Sequence, residues 1–326
     1  MDAKEVIAFL GEDWDKVNQA IRDSLRSEIP LLNTTNENLL ANSGKKLRPM
    51  LSLLTGRACG SAGNDSVIKF AAAAELLHNA TLFHDDVADA SSERRGSPTV
   101  AALMGGRASV LLGDFWLVKA MDLILASSEY GVRAIHIFAK TLSDLARGEM
   151  LQLEKAESAD TTEADYLRII YNKTATLFES ACVTAAVSAG ADDVLRQAAG
   201  DYAVNLGLAF QIKDDILDYN GSDIGKPVGV DIREHKITMP LLGAFVNAGA
   251  EKESEVRARV ASLDAGDADG AAEIIDFARA NGGIEYAEKR LEDFRQLAVD
   301  ALSPLAESEA KQCLIELAAY AAGRNK

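Results

Sequence analysis

Apolar residues recur along most of the chain at i, i+3 and i+4, the spacing that lines one face of an α-helix, while the strict alternation that builds strands is missing. The pattern predicts an all-α protein. Val6, Phe9, Leu10, Val17, Ala20, Ile21 and Leu25 form one stripe between residues 6 and 28, limited by Pro30, which predicts a packing helix without chemistry. A second helix is expected over 50–58, behind a proline that suits its first position, Pro49. A third is expected over 66–89, where Ala71, Ala72, Ala73 and Ala74 make one wall thin. Helical periods continue over 99–127 and 131–155. Another helix opens at a capping box, Thr162 with Asp165, and runs to about 189; one more covers 193–219. Amphipathic helices with no evident chemistry fill the chain beyond residue 250.

Composition narrows the function classes. With 326 residues and 48% hydrophobic content the chain can bury a large core, and we read it as a single domain over 1–326, with its chemistry at about 40–240 and C-terminal helices at 250–326. The net charge of −16 argues against nucleic acid or an anionic membrane surface as the main partner, because both would be repelled. Three cysteines, Cys59, Cys182 and Cys313, stand far apart without C-x-x-C spacing and read as reduced core residues. No run approaches 18 uncharged apolar residues, so no transmembrane segment and a cytoplasmic location are expected.

Against that acidic background one stretch carries chemistry. An apolar helix runs into Asp85, Asp86 and Asp89, then Arg94 and Arg95. Asp85 and Asp89 lie four residues apart and share a helix face with Asp86 beside them, a crowding that is costly without a cation. Oxygen ligands without cysteine favour Mg²⁺, which keeps waters and accepts phosphate oxygens beside one or two carboxylates. A solvated helix end in an acidic protein is the bland alternative. The pattern repeats, however, at Asp214, Asp215 and Asp218, again within a helical apolar period, and two such accidents are improbable.

Cations elsewhere become informative. Lys45, Lys46 and Arg48 stand beside a helix N-terminus, where side chains and backbone N–H groups favour anion capture. Arg94 and Arg95 could pair with the carboxylates or fork onto phosphate oxygens. Glu149 and Gln152 share a face but mean little alone. Lys173 and Thr174 put a cation and a hydroxyl in the middle of an otherwise apolar helix, where the lysine either snorkels outward or serves a buried anion. Residues 225–240, with Lys226 and Lys236, read as a Gly- and Pro-rich loop of the kind that closes over charged ligands. Residues 264–270 read as an acidic turn, not a calcium loop.

In combination these motifs resemble the trans-isoprenyl diphosphate synthase family: G-K-x-x-R-P at 44–49, H-x-x-x-x-x-H-D-D-x-x-D at 78–89, R-R-G at 94–96, G-E-x-x-Q at 148–152, K-T-A at 173–175 and F-Q-x-x-D-D-x-x-D at 210–218. Lys46 departs from the arginine that many members carry and keeps the charge. The resemblance implies an antiparallel helix bundle around a deep central cavity, usually dimeric, with the aspartate clusters facing each other near the cavity mouth. It implies an enzyme that joins an allylic diphosphate to isopentenyl diphosphate and releases pyrophosphate. Asp85, Asp89 and Asp214, with Asp86, Asp215 and Asp218 supporting, would hold Mg²⁺ on the allylic diphosphate. Lys45, Arg48, His78 and Arg95 would hold isopentenyl diphosphate. Arg94, Lys173 and Lys226 would grip the allylic diphosphate and Lys236 of the same loop would bind substrate, while Gln211 and the Thr174 oxygen would face the nascent carbocation.

On the helix leading to Asp85, Thr81 with Ala80, then Leu77, then Ala74 with Ala73 occupy positions one, two and three turns earlier and should line the cavity for the growing tail. In the family a bulky residue just before the first aspartates stops growth early. None stands there, since Phe83 is too nearly opposite on the helix. A long-chain product of the quinone side-chain kind is expected, with a deeper floor from Phe115 or Trp116. A short-chain synthase, a terpene cyclase and a non-catalytic subunit are the alternatives. The cyclase would leave the 44–49 and 94–95 cations without a purpose, and the silent subunit would have lost one aspartate cluster.

Overall fold

The computed structural model describes residues 3–42, 44–94, 96–127, 129–220, 229–264 and 266–323. They form an all-α protein in two compact units, one comprising 1–139, 180–200 and 304–314, the other 140–179, 201–303 and 315–326. The only strands among the described residues, β1 (Glu93–Arg94) and β2 (Ser97–Pro98), make a two-residue antiparallel pair.

In the first unit, α1 (Ala3–Leu10) and α2 (Glu12–Ser24) replace the continuous helix expected over 6–28. Gly11 adopts φ +54°, a left-handed conformation that stops the first helix, yet Val6, Leu10, Val17 and Ile21 still bury one stripe. Pro30 opens α3 (Pro30–Ala41). Helix α4 runs from Leu47 to Ala58, three residues longer than expected, so Pro49 is its third residue. A proline is tolerated there because first-turn N–H groups have no intrahelical acceptor.

Helix α5 (Asp65–Ala88) starts where the Asn64 side chain accepts from the backbone N–H of Ser66 and Val67. Its alanines 71–74 are fully buried, and α6 (Val100–Met104) leads to α7 (Gly106–Leu125), which packs along it. Two contacts fix that packing. Ser109 Oγ donates to the Phe83 carbonyl at 2.8 Å, and Trp116 meets Phe83 edge-on with centroids 5.2 Å apart. The buried Trp116 Nε1–H donates to Asn36 Oδ1 at 2.9 Å, and Asn36 in turn donates to the Leu25 carbonyl.

Helices α8 (Gly131–Ser158), α10 (Thr176–Ser188), α11 (Asp193–Asn220) and α17 (Glu309–Gly323) supply residues to both ranges. The second unit adds α9 (Glu163–Ile170), α12 (Val230–Arg233), α13 (Met239–Ala248), α14 (Ala250–Ala261), α15 (Ala268–Ala280) and α16 (Gly283–Ala301). The Thr162–Asp165 capping box is present, but the helix it opens is not continuous to 189: residues Tyr171–Ala175 form a π turn between α9 and α10. Two glycines make room for that turn. A Cβ on Gly148 of α8 would stand 2.7 Å from Asn172 Cβ, and one on Gly207 of α11 would stand 2.6 Å from Ala175 Cα.

Asp267 caps α15 by accepting from the Gly270 N–H, so the acidic turn is a helix start. Cys182 and Cys313 are buried, and burial pushes the half-buried Cys59 thiol up to about 11. No helix among the described residues is long and apolar enough to cross a membrane.

Candidate active site

In the first unit, α5 delivers its three aspartates to different surroundings. Asp85 is half-buried and Asp89, the C-cap, is exposed. Asp86 is buried and accepts from Arg94 Nε at 2.8 Å, so the expected convergence of three carboxylates does not occur. The helix end is closed by the Ser91 N–H on the Asp86 carbonyl and the Ala90 N–H on the Val87 carbonyl, with Ala90 at φ +50°. Arg94 lies on β1, whose pairing Arg94 with Ser97 brings it back toward Asp86. Arg95 lies outside the described residues. His84 is turned away from the aspartates: its Nε2 is 3.3 Å from both Asp114 Oδ1 and the Val110 carbonyl, over Gly113.

The three cations of the 44–49 loop part company. Lys46 takes φ +51° as the residue before α4, and its Nζ donates to Asn18 Oδ1 on α2 at 2.6 Å. Burial holds its pKa below the usual lysine value, opposed by Glu75. Lys45 is exposed, Arg48 and His78 are half-buried. Of the proposed tail-lining positions, Ala73, Ala74, Leu77 and Ala80 are buried and Thr81 is half-buried, its Oγ1 donating to the His78 carbonyl. Phe83 is buried against Trp116, whereas Phe115 is half-buried with Lys119 Nζ over its ring.

In the second unit, the π turn tilts Lys173 and Thr174 toward two different helices. Lys173 Nζ lies 2.5 Å from Glu149 Oε2 and 2.9 Å from Gln152 Oε1, and Gln152 Nε2 donates to Glu149 Oε1. The G-E-x-x-Q motif thus orients Lys173, a role that its spacing alone did not reveal. Thr174 Oγ1 donates to Gln211 Oε1 at 2.8 Å, and Gln211 Nε2 donates to Asp215 Oδ1 at 2.9 Å. Tyr166 O–H completes the chain on Asp215 Oδ2 at 2.6 Å. Nothing in the sequence marked Tyr166, because 49 residues separate the partners.

Asp215 is buried, and burial pushes its carboxyl above the usual range, reinforced by the charge of Asp231; the Tyr166 and Gln211 hydrogen bonds pull it down. Asp231, another residue without a sequence signal, is pushed up to about 6, by burial first and then by Asp218. Asp214 is half-buried. Asp218 accepts from the backbone N–H of Val230 and Asp231, at 3.1 Å each. Lys236 pairs with Glu234, while Lys226 lies outside the described residues.

Asp85 and Asp89 on α5 offer oxygen donors in the first unit, and Asp214 on α11 offers another in the second. Among the described residues no three carboxylate, imidazole or thiolate side chains form a preformed cage. Carboxylate oxygens of this kind suit Mg²⁺, which binds through one or two carboxylates plus waters and substrate phosphates.

An all-helical fold that presents two D-D-x-x-D helix segments, with a lysine and an amide-linked threonine on a π turn, defines an enzyme of prenyl transfer. Residues 29–276 match the polyprenyl synthetase pattern, and the chain belongs to that family. It is 38% identical over 327 residues to an octaprenyl diphosphate synthase of Haemophilus influenzae, covering 100% of this chain and 98% of that protein. A decaprenyl diphosphate synthase structure from Rhodobacter capsulatus superposes with a TM-score of 0.91 at 36% identity, covering both chains completely. A Caulobacter crescentus polyprenyl synthase complexed with calcium and isoprenyl diphosphate gives 0.89 at 36% identity, covering 100% of this chain and 98% of that one.

Proposed function

We propose that the protein elongates an allylic prenyl diphosphate with isopentenyl diphosphate to a long-chain all-trans polyprenyl diphosphate of the quinone side-chain kind. The full-length likeness to octaprenyl and decaprenyl diphosphate synthases carries this reading. Asp85, Asp89 and Asp214 would hold Mg²⁺, which supplies charge neutralisation to the leaving diphosphate. The calcium and isoprenyl diphosphate of the Caulobacter protein support a divalent cation and a diphosphate as ligands.

The chain's own residues then divide the work. Arg94, Lys173 and Lys226 would grip the allylic diphosphate, with Lys236 as a further substrate-binding cation; Lys45, Arg48, His78 and Arg95 would hold isopentenyl diphosphate. Heterolysis of the allylic C–O bond leaves a carbocation, toward which Gln211 and Thr174 offer oxygen dipoles. The double bond of isopentenyl diphosphate forms the new C–C bond, and loss of a proton restores an alkene. No strong protein base is needed, because the departing pyrophosphate accepts that proton.

Ala74, Leu77 and Ala80, small or unbranched at Cβ on α5, would leave several turns of depth for the tail, each isoprene unit needing roughly one turn. We further propose a homodimer acting in the cytoplasm. Exposed Leu111, Val118 and Leu125, spaced by seven on α7, offer an apolar stripe for a second copy, and three cysteines without disulfides suit a reducing compartment. The test is product mass from farnesyl diphosphate, excess isopentenyl diphosphate and Mg²⁺. A product of at least seven isoprene units is expected, shortened in Ala80→Phe; a parent product no longer than geranylgeranyl overturns the long-chain reading.

A further inference from the structure

Asp218 closes the second D-D-x-x-D segment, and its spacing, four residues after Asp214, puts both on one face of α11 as an apparent chelating pair. Its surroundings describe a different task. Oδ1 accepts from the Val230 N–H and Oδ2 from the Asp231 N–H, both at 3.1 Å, while the Asp218 carbonyl accepts from the Gly229 N–H at 3.1 Å. These are the opening N–H groups of α12, which an α-helix cannot satisfy internally. The residue before α12 is Gly229, at φ +72° and with no side chain to cap it. Asp218 therefore supplies from another helix the cap that the local sequence lacks.

The anchored segment matters to the site. Helix α12 carries Asp231, whose charge is felt by Asp215 and which lies in the field of Lys236 and Lys173. Ile232 of the same short helix is fully buried in the core of its unit. The neighbouring Tyr219 carbonyl accepts from Arg279 of α15, so the end of α11 is held on two sides.

We propose that Asp218 is a positioning residue that fixes α12, and through it Asp231 and Lys236, to the end of α11, and that it is not a Mg²⁺ ligand. The proposal rests on the synthase reading only for its kinetic arm.

Asparagine separates the two roles, because its one amide oxygen can still accept from one of the two N–H groups, although its NH2 cannot accept from the other, whereas it is a poor substitute for a carboxylate on Mg²⁺. In amide hydrogen exchange without metal or substrate, Asp218→Ala should lose at least fivefold protection at both Val230 and Asp231, and Asp218→Asn should lose it at no more than one of the two. The Mg²⁺ concentration for half-maximal activity should change less than twofold in Asp218→Asn and more than tenfold in Asp214→Asn. In Asp218→Ala, kcat/KM for the allylic substrate should fall while KM for isopentenyl diphosphate holds, with partial rescue by Asp218→Asn. Unchanged exchange in Asp218→Ala, or a tenfold rise in the Mg²⁺ requirement of Asp218→Asn, overturns the proposal. Should Asp218→Ala fail to fold, the asparagine arm still decides. An inactive parent would overturn the synthase reading, while the exchange result would still decide the anchor.

Discussion

Neighbouring aspartates on α5 and α11 do different things because their environments differ. Asp86 and Asp215 are buried and bonded to protein donors, Arg94 in one case and Tyr166 with Gln211 in the other. Asp85 and Asp214 are half-buried at the same motifs. Replacing either of the second pair with alanine should abolish turnover, by at least a hundredfold, while the far-UV circular dichroism stays helical; residual activity within tenfold of the parent would remove them from the metal site. The aspartate motifs were legible because residue type and spacing carry that chemistry locally. The partners were not: Tyr166 stands 49 residues from Asp215, and Val230 stands 12 from Asp218, distances over which no periodicity speaks. Phe83 packs on Trp116 and so joins two helices that the sequence leaves unrelated.

At the scale of elements, the sequence showed where helices lie better than where they break. Gly11 sits inside a regular apolar stripe, and Tyr171 and Ala175 keep a four-residue spacing across the polar residues between them, so neither the left-handed break nor the π turn disturbs the pattern that predicts helix. The π turn depends on backbone proximity. Gly207→Ala should cost about 1–3 kcal/mol through forced displacement of Ala175 and should lower activity beyond its effect on stability. Gly200→Ala is the control: its Cβ would meet Val183 Cγ2 at 3.3 Å, a contact that a small shift relieves. A Gly207→Ala protein with parental melting temperature and turnover would contradict this account.

The Thr162–Asp165 capping box, by contrast, was legible because its partners are three residues apart. Thr162's hydroxyl first, opposed by desolvation, and then its N–H and Lys155 hold the Asp165 carboxyl below its ordinary value. A depressed folded-state pKa means stabilisation present above the unfolded value, near pH 4, and lost as pH falls through the folded one. Asp165→Ala should therefore lose about 1 kcal/mol at pH 7 and show a shallower loss of stability on acidification than the parent, measured by urea unfolding between pH 3 and 7.

For the whole molecule, a net charge of −16 disfavours nonspecific association, so an exposed apolar stripe on α7 stands out. If a second copy covers it, Leu111→Glu combined with Val118→Glu should yield monomers in sedimentation at micromolar concentration with unchanged helix content. A parent that sediments as a monomer, or a variant that remains dimeric, would locate no interface there. The cysteines have a practical corollary. Cys182 and Cys313 are buried, and a Cys59 thiol at about 11 is ionised to roughly one part in ten thousand at pH 7. A maleimide dye at that pH should find almost nothing to react with in the native parent. A reporter cysteine placed on an exposed helix position, such as Val246 on α13, should then be labelled selectively without first stripping the chain of its own thiols.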